Sequence, residues 1–300
     1  MINFMKYKYL YFAFSLLFII PGAYFLIRFG LKPALDFTGG TLLELSINPQ
    51  ANQILTTDSL KPITEPIIPF SSLQQVDSRT FIIRSQQFDQ PTNQKLQTEI
   101  TAKIGETQEK RFETIGPTLG KELIRKTIVG ILLASGFILF YVAIRFKDKK
   151  YGICAILAML HDSFILLGAF SFLGVYQGVE IDALFVTAML TILSFSVHDT
   201  IVVYDRIRES IRLYPKLSFT GLVNKAVTET LGRSVNNSLT IIFMLLCLYL
   251  LGGETTKWFV LALLIGTISG TYSSTFTAAP LLVLWEELKV KHHTPKTSHL

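Results

Sequence analysis

Six stretches of this chain are long and apolar enough to cross a bilayer: Tyr9–Ile27, Ile128–Ile144, Gly152–Val175, Ala183–Tyr204, Ser234–Gly253 and Phe259–Leu284. Each comes near the roughly 20 residues that span about 30 Å of hydrocarbon. Lipid offers no water to unpaired backbone groups, so such a segment has to satisfy its own hydrogen bonds as a helix. Half of all residues are hydrophobic, only 17% are charged and the mean hydropathy is +0.43, a balance foreign to soluble domains. The first run holds Pro21 and Gly22, both tolerated in membrane helices. It is too long for the apolar part of a cleaved leader and shows no small-x-small site before Arg28, so it is expected to stay as the first span.

The net charge of +6 does not point to nucleic acid, because no basic patch with interleaved aromatics exists. Most basic residues of the short loops flank spans instead. With the N-terminus inside, the inner segments carry fifteen Lys and Arg, whereas the short outer loops carry only Lys257. The excess of Lys and Arg in inner loops sets orientation, so both termini are expected in the cytoplasm and the protein in the cytoplasmic (inner) membrane. The expected layout is a cytoplasmic N-terminus (1–8), a first span (9–28), an extracytoplasmic domain (29–123), a five-helix membrane bundle (124–286) and a cytoplasmic tail (287–300). Within the bundle, the connection 205–232 reads as an amphipathic helix lying on the bilayer. It places Phe219, Leu222, Val223, Ala226 and Thr230 at helical spacing with Lys225 and Glu229 between them.

The long polar segment opens on Asp36–Thr41 (DFTGGT), where Gly39 and Gly40 permit backbone geometry closed to other residues. No Gly-Lys-Ser follows, so this is no phosphate loop. Alternation marks strands at Leu42–Ile47, Thr80–Arg84 and Thr107–Ile115, and helical spacing appears in Thr92–Ile104, with one short helix in Thr56–Pro69. The expected fold class is a polytopic α-helical membrane protein: six transmembrane helices with a small α+β, ferredoxin-like domain between the first two. That domain contains neither His nor Cys, which argues for contact with protein rather than hydrolysis or metal binding. Cys154 and Cys247 lie in apolar runs and read as packing residues.

Chemistry concentrates in the fourth span, ALFVTAMLTILSFSVHDTIVVYDRIRE (183–209). His198 and Asp199 sit where lipid exacts about 2.5 kcal/mol or more for an ionisable residue. Thr187, Thr191, Ser194, His198 and Asp205 share a narrow arc at 100° per residue, with Asp199 at its edge. Such a stripe is either glue between helices or a proton relay. Asp199 lies sixteen residues, roughly 24 Å, into its helix. The uncharged run Leu239–Leu251 is too short to cross alone, so Arg233, Asn236, Asn237 and Thr240 enter the bilayer on one face. Asp199 and Arg233 then reach similar depth, as a static ion pair or as a proton-gated switch. His161 and Asp162 form a second pair near the middle of the third span, and with Asn236 and Asn237 they make a possible secondary polar site. No third ligand is spaced for a metal, and no Gly-x-Gly-Asp precedes either Asp, against an aspartyl protease. Gly266, Gly270, Ser274 and Ala278 recur every four residues in the sixth span, a face for close helix packing or for a partner.

Taken together, DFTGGT, GPTLGKEL (116–123), HDS (161–163), SVHDTIVVYDRIRE (196–209), LGRSVNNSLT (231–240) and GTYSSTF (271–277) resemble the SecF side of the SecD/SecF family, in the resistance-nodulation-division superfamily. The motif residues Asp36, Gly39, Gly40, Asp205 and Arg206 are part of this likeness. The resemblance implies a non-enzymatic accessory role in protein export, with SecD supplying six homologous spans, SecYEG as the translocon and preproteins as cargo. It implies protons as the coupling ion, no other cofactor, and a proton path through the positions of Asp199 and Arg233. His198 stands where such proteins commonly carry Asn. A stand-alone exporter of the same superfamily, for small molecules or lipids, and a non-conducting translocon scaffold remain the alternatives. An exporter of that kind usually has twelve spans in one chain; a scaffold needs no buried charge.

Overall fold

A computed structural model of the chain describes residues 3–49, 55–146 and 148–293. Lys147 and Lys296, two of the basic residues expected on the inner side, lie outside them. The described residues divide into two units, 33–129 and 1–32 with 130–300.

In the first unit the chain runs through a turn of helix α2 (Leu35–Thr38), strand β1 (Gly40–Pro49), helix α3 (Thr57–Thr64), strands β2 (Phe70–Gln75) and β3 (Thr80–Ser85), helix α4 (Gln90–Lys103) and strand β4 (Gly105–Ile115). The sheet order is β2-β3-β1-β4 and each adjacent pair runs antiparallel. Two interleaved βαβ crossovers in that order are the ferredoxin-like arrangement. Strand β1 alternates, so Leu43, Leu45 and Ile47 all face the helices and are fully buried with Phe81, Ile83, Leu60, Leu96 and Ile100. The Asp89 carboxylate caps α4 by accepting from the Thr92 hydroxyl at 2.6 Å and the Thr92 amide at 3.2 Å, and these bonds hold its pKa below the ordinary value. Strand β2 has no counterpart in the sequence reading: FSSLQQ is a polar edge strand with too few apolar residues to show a period.

The glycines of DFTGGT fit the geometry around them. Gly39 and Gly40 have φ of 67° and 113°, and a Cβ on Gly40 would stand 2.5 Å from the Ser85 carbonyl oxygen. A Cβ on Gly39 would meet Pro117 Cα at 3.0 Å, and one on Gly120 would meet the Gly39 amide at 3.0 Å. The DFTGGT and GPTLGKEL segments therefore interlock backbone to backbone.

The second unit contains α1 (Lys8–Phe29), the continuation of α5 (Pro117–Arg145), α6 (Lys149–Gln177), α7 (Ala183–Leu213), α8 (Phe219–Leu251), and α9 (Glu254–Ser273), which passes through a π-helical turn (Ser274–Ala278) into α10 (Ala279–His293). Among the described residues, six helical rods are long and apolar enough to cross a membrane. Asp148, Asp182 and Ser218 cap α6, α7 and α8 by accepting from first-turn amides. Helices α6, α7 and α9 make the middle of the bundle, and α5 is exposed along most of its length.

The connection 205–232 differs from expectation. Helix α7 continues to Leu213 and α8 already begins at Phe219, so no separate helix lies on the bilayer. Val223, Ala226 and Val227 are buried in one cluster with Val203, Tyr204, Ile207 and Met5, and Leu222 is buried as well. Protein, not lipid, covers that apolar face. Asn224 at the same level accepts from the Met5 amide at 2.9 Å.

Close helix approach relies on small residues. Helices α1 and α6 meet at Gly22 and Gly168, where a Cβ on Gly168 would stand 2.5 Å from Gly22 Cα. Gly168→Leu is expected to force the two helices apart and cost about 1–3 kcal/mol, the range for overpacking; thermal unfolding of the detergent-solubilised protein would show it. The Gly266, Gly270, Ser274 face turns inward onto α7: a Cβ on Gly266 would overlap Ile192, and one on Gly270 would touch Ser196 Cα at 3.5 Å.

Candidate functional site

Helix α7 has two polar faces, and the structure reverses the importance that spacing alone assigns them. Thr187, Thr191, Ser194 and His198 point away from the chain's own bundle and are exposed. Thr187 and Thr191 donate to carbonyls one turn back, at 3.0 and 2.8 Å. The buried face carries Ser196, Asp199, Thr200 and Tyr204. His198 and Asp199, adjacent in sequence, are about 100° apart on the helix, and only Asp199 turns inward.

Asp199 is 7% exposed. Its Oδ1 accepts from the Ser234 hydroxyl of α8 at 2.8 Å and its Oδ2 from Ser274 at the start of the π-turn. Among the described residues, no ion pair joins Asp199 to Arg233, contrary to the pairing expected from their depths. The cause is helical geometry. Ser234 occupies the inward position of α8, so Arg233 is rotated outward and exposed. It lines a cavity of about 420 Å³ with Val202, Asp205, Arg206, Glu209, Glu229 and Thr230. A guanidinium among carboxylates and water avoids the desolvation that burial beside Asp199 would impose. Around this cavity Arg206 pairs with Glu229 at 2.7 Å and Glu209 at 2.5 Å, and Asp205 pairs with Arg145 of α5. Asp205 and Arg206 thus tie helix ends together beside the cavity. Asn236 and Asn237 are exposed on α8 and do not join His161 and Asp162.

Asp162 is fully buried. It accepts four contacts: Ser196 of α7 at 2.6 Å and Ser273 of α9 at 2.5 Å on Oδ2, Ser269 of α9 at 2.5 Å and His161 Nδ1 at 3.0 Å on Oδ1. Three helices therefore converge on one carboxylate. It stands thirteen residues along α6, roughly 20 Å from its start at 1.5 Å per residue. His161 is buried too; its ring stacks on Tyr272 at 6.3 Å between centroids.

The hydroxyls are what the sequence reading missed. Ser234, Ser196, Ser269 and Ser273 were given no role, and Ser274 was assigned to packing alone. Ser269 and Ser273 at i, i+4 inside an apolar span carried the signal, since each hydroxyl there needs a partner. Tyr204 is the other omission. It is completely buried, packs edge-on against Phe146 and Tyr151, and donates to the Ala278 carbonyl at 3.0 Å, at the end of the π-turn.

Six apolar rods around buried, hydroxyl-bound carboxylates, with a ferredoxin-like domain inserted after the first, define a multi-pass membrane protein with protonatable groups in its helical core. The family described as "Protein export membrane protein SecD/SecF, C-terminal" matches residues 95–288, and the "SecD/SecF GG Motif" matches residues 24–51, which contain DFTGGT. The chain is 43% identical over 300 residues to the protein translocase subunit SecF of Thermobaculum terrenum, covering 95% of this chain and 94% of that one. It is 38% identical to the SecF of Anaerolinea thermophila, again covering 95% and 94%. It is 34% identical to the protein translocase subunit SecDF of Thermus thermophilus, covering 89% of this chain but 36% of that longer one. The crystal structure of SecDF from Thermus superposes with a TM-score of 0.81 at 33% identity over 95% of this chain and 39% of the other. SecDF in its super-membrane-facing form gives 0.70 at 32% identity, over 97% and 39%. The chain belongs to the SecD/SecF family.

Proposed function

We propose that this chain is an auxiliary, non-enzymatic subunit of the Sec protein-export machinery. It works beside a SecD chain and the SecYEG translocon, and uses the proton-motive force to complete the passage of preproteins across the cytoplasmic membrane. The observation that carries the coupling is Asp199, a carboxylate buried at membrane depth and held by two hydroxyls rather than by a fixed cation. An ionised carboxylate only accepts hydrogen bonds; a protonated one also donates. Protonation therefore changes what α8 and α9 gain from holding it, and a two-state element biased in this way is the physical requirement for coupling. Arg233, next to Ser234 and facing the charged cavity, reaches Asp199 only if α8 turns, so the present arrangement is the parted state of that pair. His198 tunes the pH range or supplies a polar contact.

The partner reading rests on the outward faces. Thr191, Ser194 and His198 on α7, and Arg233, Asn236 and Asn237 on α8, are polar and exposed at depths where lipid disfavours them. In the Thermus relative the matching segment is about two-fifths of one longer SecDF chain, so a SecD-type partner in the membrane plane is the natural cover. Co-expression with a SecD chain and a tagged pull-down from lipid nanodiscs tests this: a stable complex is expected, and an active lone subunit would refute it. Orientation has its own test. A cysteine at Gln86 is expected to react with an impermeant thiol reagent added from outside, and one at Lys149 to be protected; the reverse pattern would invert the assignment.

A further inference from the structure

The two buried carboxylates are held by consecutive residues. Ser273 donates to Asp162 on α6, and Ser274 donates to Asp199 on α7. They adjoin the point where α9 opens into the π-helical turn Ser274–Ala278, a feature that often marks functional sites. Neighbours on a helix diverge by about 100°, which lets one backbone position serve both carboxylates. We infer that Asp162 is a second proton-binding site of the membrane bundle, coupled to Asp199 through the Ser273–Ser274 turn. This deepens the proton-coupling reading above and rests on it.

Each serine has a second acceptor in reach. Ser273 Oγ is 3.2 Å from the Gly270 carbonyl and Ser274 Oγ is 3.1 Å from that of Thr271. With Asp162 ionised, the Ser273 hydrogen points to the carboxylate. When a proton adds to Asp162, the new carboxyl O–H donates to Ser273 Oγ, and the serine hydrogen swings to the Gly270 carbonyl. Neither the serine hydroxyl nor the carboxyl is orphaned in either state, so the exchange avoids the cost of a buried unpaired group. Ser274 offers Asp199 the same exchange. Because the two serines are adjacent, a shift of backbone at one moves the other.

An independent observation marks the Asp162 cluster as more than a structural knot. His161 Nδ1 contacts the carboxylate, while its Nε2 is buried without a partner. One nitrogen is on the acid and the other is open to a proton. Among the described residues, the other titratable side chains seen around the cluster are Tyr272 on α9, stacked on the His161 ring, and Tyr11 on α1, whose carbonyl accepts from Tyr272 at 2.8 Å. All other donors to Asp162 are serine hydroxyls.

The test is infrared difference spectroscopy of the lipid-reconstituted complex with its SecD-type partner, titrated with pH. Two carboxyl signals are expected, one absent in Asp162→Asn and the other in Asp199→Asn. Ser273→Ala removes a hydroxyl that touches Asp162 and not Asp199. It is expected to move the Asp199 midpoint by about fivefold or more in proton affinity, the lower end for coupled sites, and Ser273→Thr is expected to restore it. An Asp199 midpoint indifferent to Ser273→Ala overturns the coupling, and an Asp162→Asn spectrum that keeps both signals overturns the second site. If Asp162→Asn does not insert, Ser273→Ala in the Asp199→Asn background decides the second site: the remaining carboxyl signal is expected to shift its midpoint, and no remaining signal, or one that does not move, overturns it. Normal proton-dependent export by Asp199→Asn would sink the proposed function while leaving the two-site titration standing, so the two failures are distinguishable.

Discussion

Asp199→Asn is expected to reduce proton-driven export to the level of membranes lacking the subunit, while insertion and assembly with SecD proceed normally. Asn has nearly the shape of Asp, and its Oδ1 still accepts from Ser234 or Ser274. The substitution removes the capacity to bind a proton and little else. In the resting fold a neutral amide is easier to bury than a carboxylate, so folding stability should hold or rise. That separation makes the result diagnostic: a lost activity with intact protein levels and intact partner binding points to the proton, not to misfolding. His198→Asn is expected to retain export with at most a changed pH profile, because His198 faces away from the hydroxyl cluster. Pulse-chase export of a secreted reporter, with the membrane fraction probed for the subunit, reads all of these outcomes.

Gly40→Val carries the second large effect, in the ferredoxin-like domain. Gly40 has φ of 113° and its missing Cβ leaves room for the Ser85 carbonyl, which would otherwise lie 2.5 Å away. A β-branched residue pays both for the backbone region and for the clash, about 2–5 kcal/mol in combination. A domain of this size has roughly 5–15 kcal/mol in hand, so a large share of its stability goes. Strand β1 sits between β3 and β4, and losing its first residues opens both pairings. Limited proteolysis of the ferredoxin-like domain in the detergent-solubilised protein should become faster than in wild type, and full resistance would show that the strand accommodates the side chain.

These two sites were not equally visible in the amino-acid sequence. The spans were legible because lipid imposes length and apolarity on whole segments, and the sheet because Leu43, Leu45 and Ile47 alternate. Gly39 and Gly40 stood out for the same kind of reason, a backbone demand that only glycine meets. Which face of α7 matters was not legible. The arc from Thr187 to His198 looked like an interior stripe, but interior and partner-facing polar stripes have the same period, and only packing separates them. Asp199 was found through its type and depth, and its partners were misassigned. Depth brought Arg233 level with it, yet one residue of helical rotation gave the contact to Ser234. Serines are common and small, so Ser269 and Ser273 carry no visible role in the sequence and Ser274 reads as a packing residue, although all three hydroxyls are aimed at carboxylates. The continuous helix α8 was obscured because its inner third buries its apolar face on protein, where sequence alone allowed a membrane surface.

The central claim is that protonation of Asp199 links proton movement to export. The most direct measurement loads proteoliposomes containing the subunit, its SecD-type partner and the translocon with a pH-sensitive dye, and follows proton entry when a translocating preprotein is supplied under an imposed proton gradient. Wild-type complex is predicted to admit protons in step with translocation, and Asp199→Asn to admit none above empty liposomes while still binding the preprotein. Equal proton entry and equal translocation by the two complexes would contradict the claim and leave Asp199 as a structural contact between α7, α8 and α9.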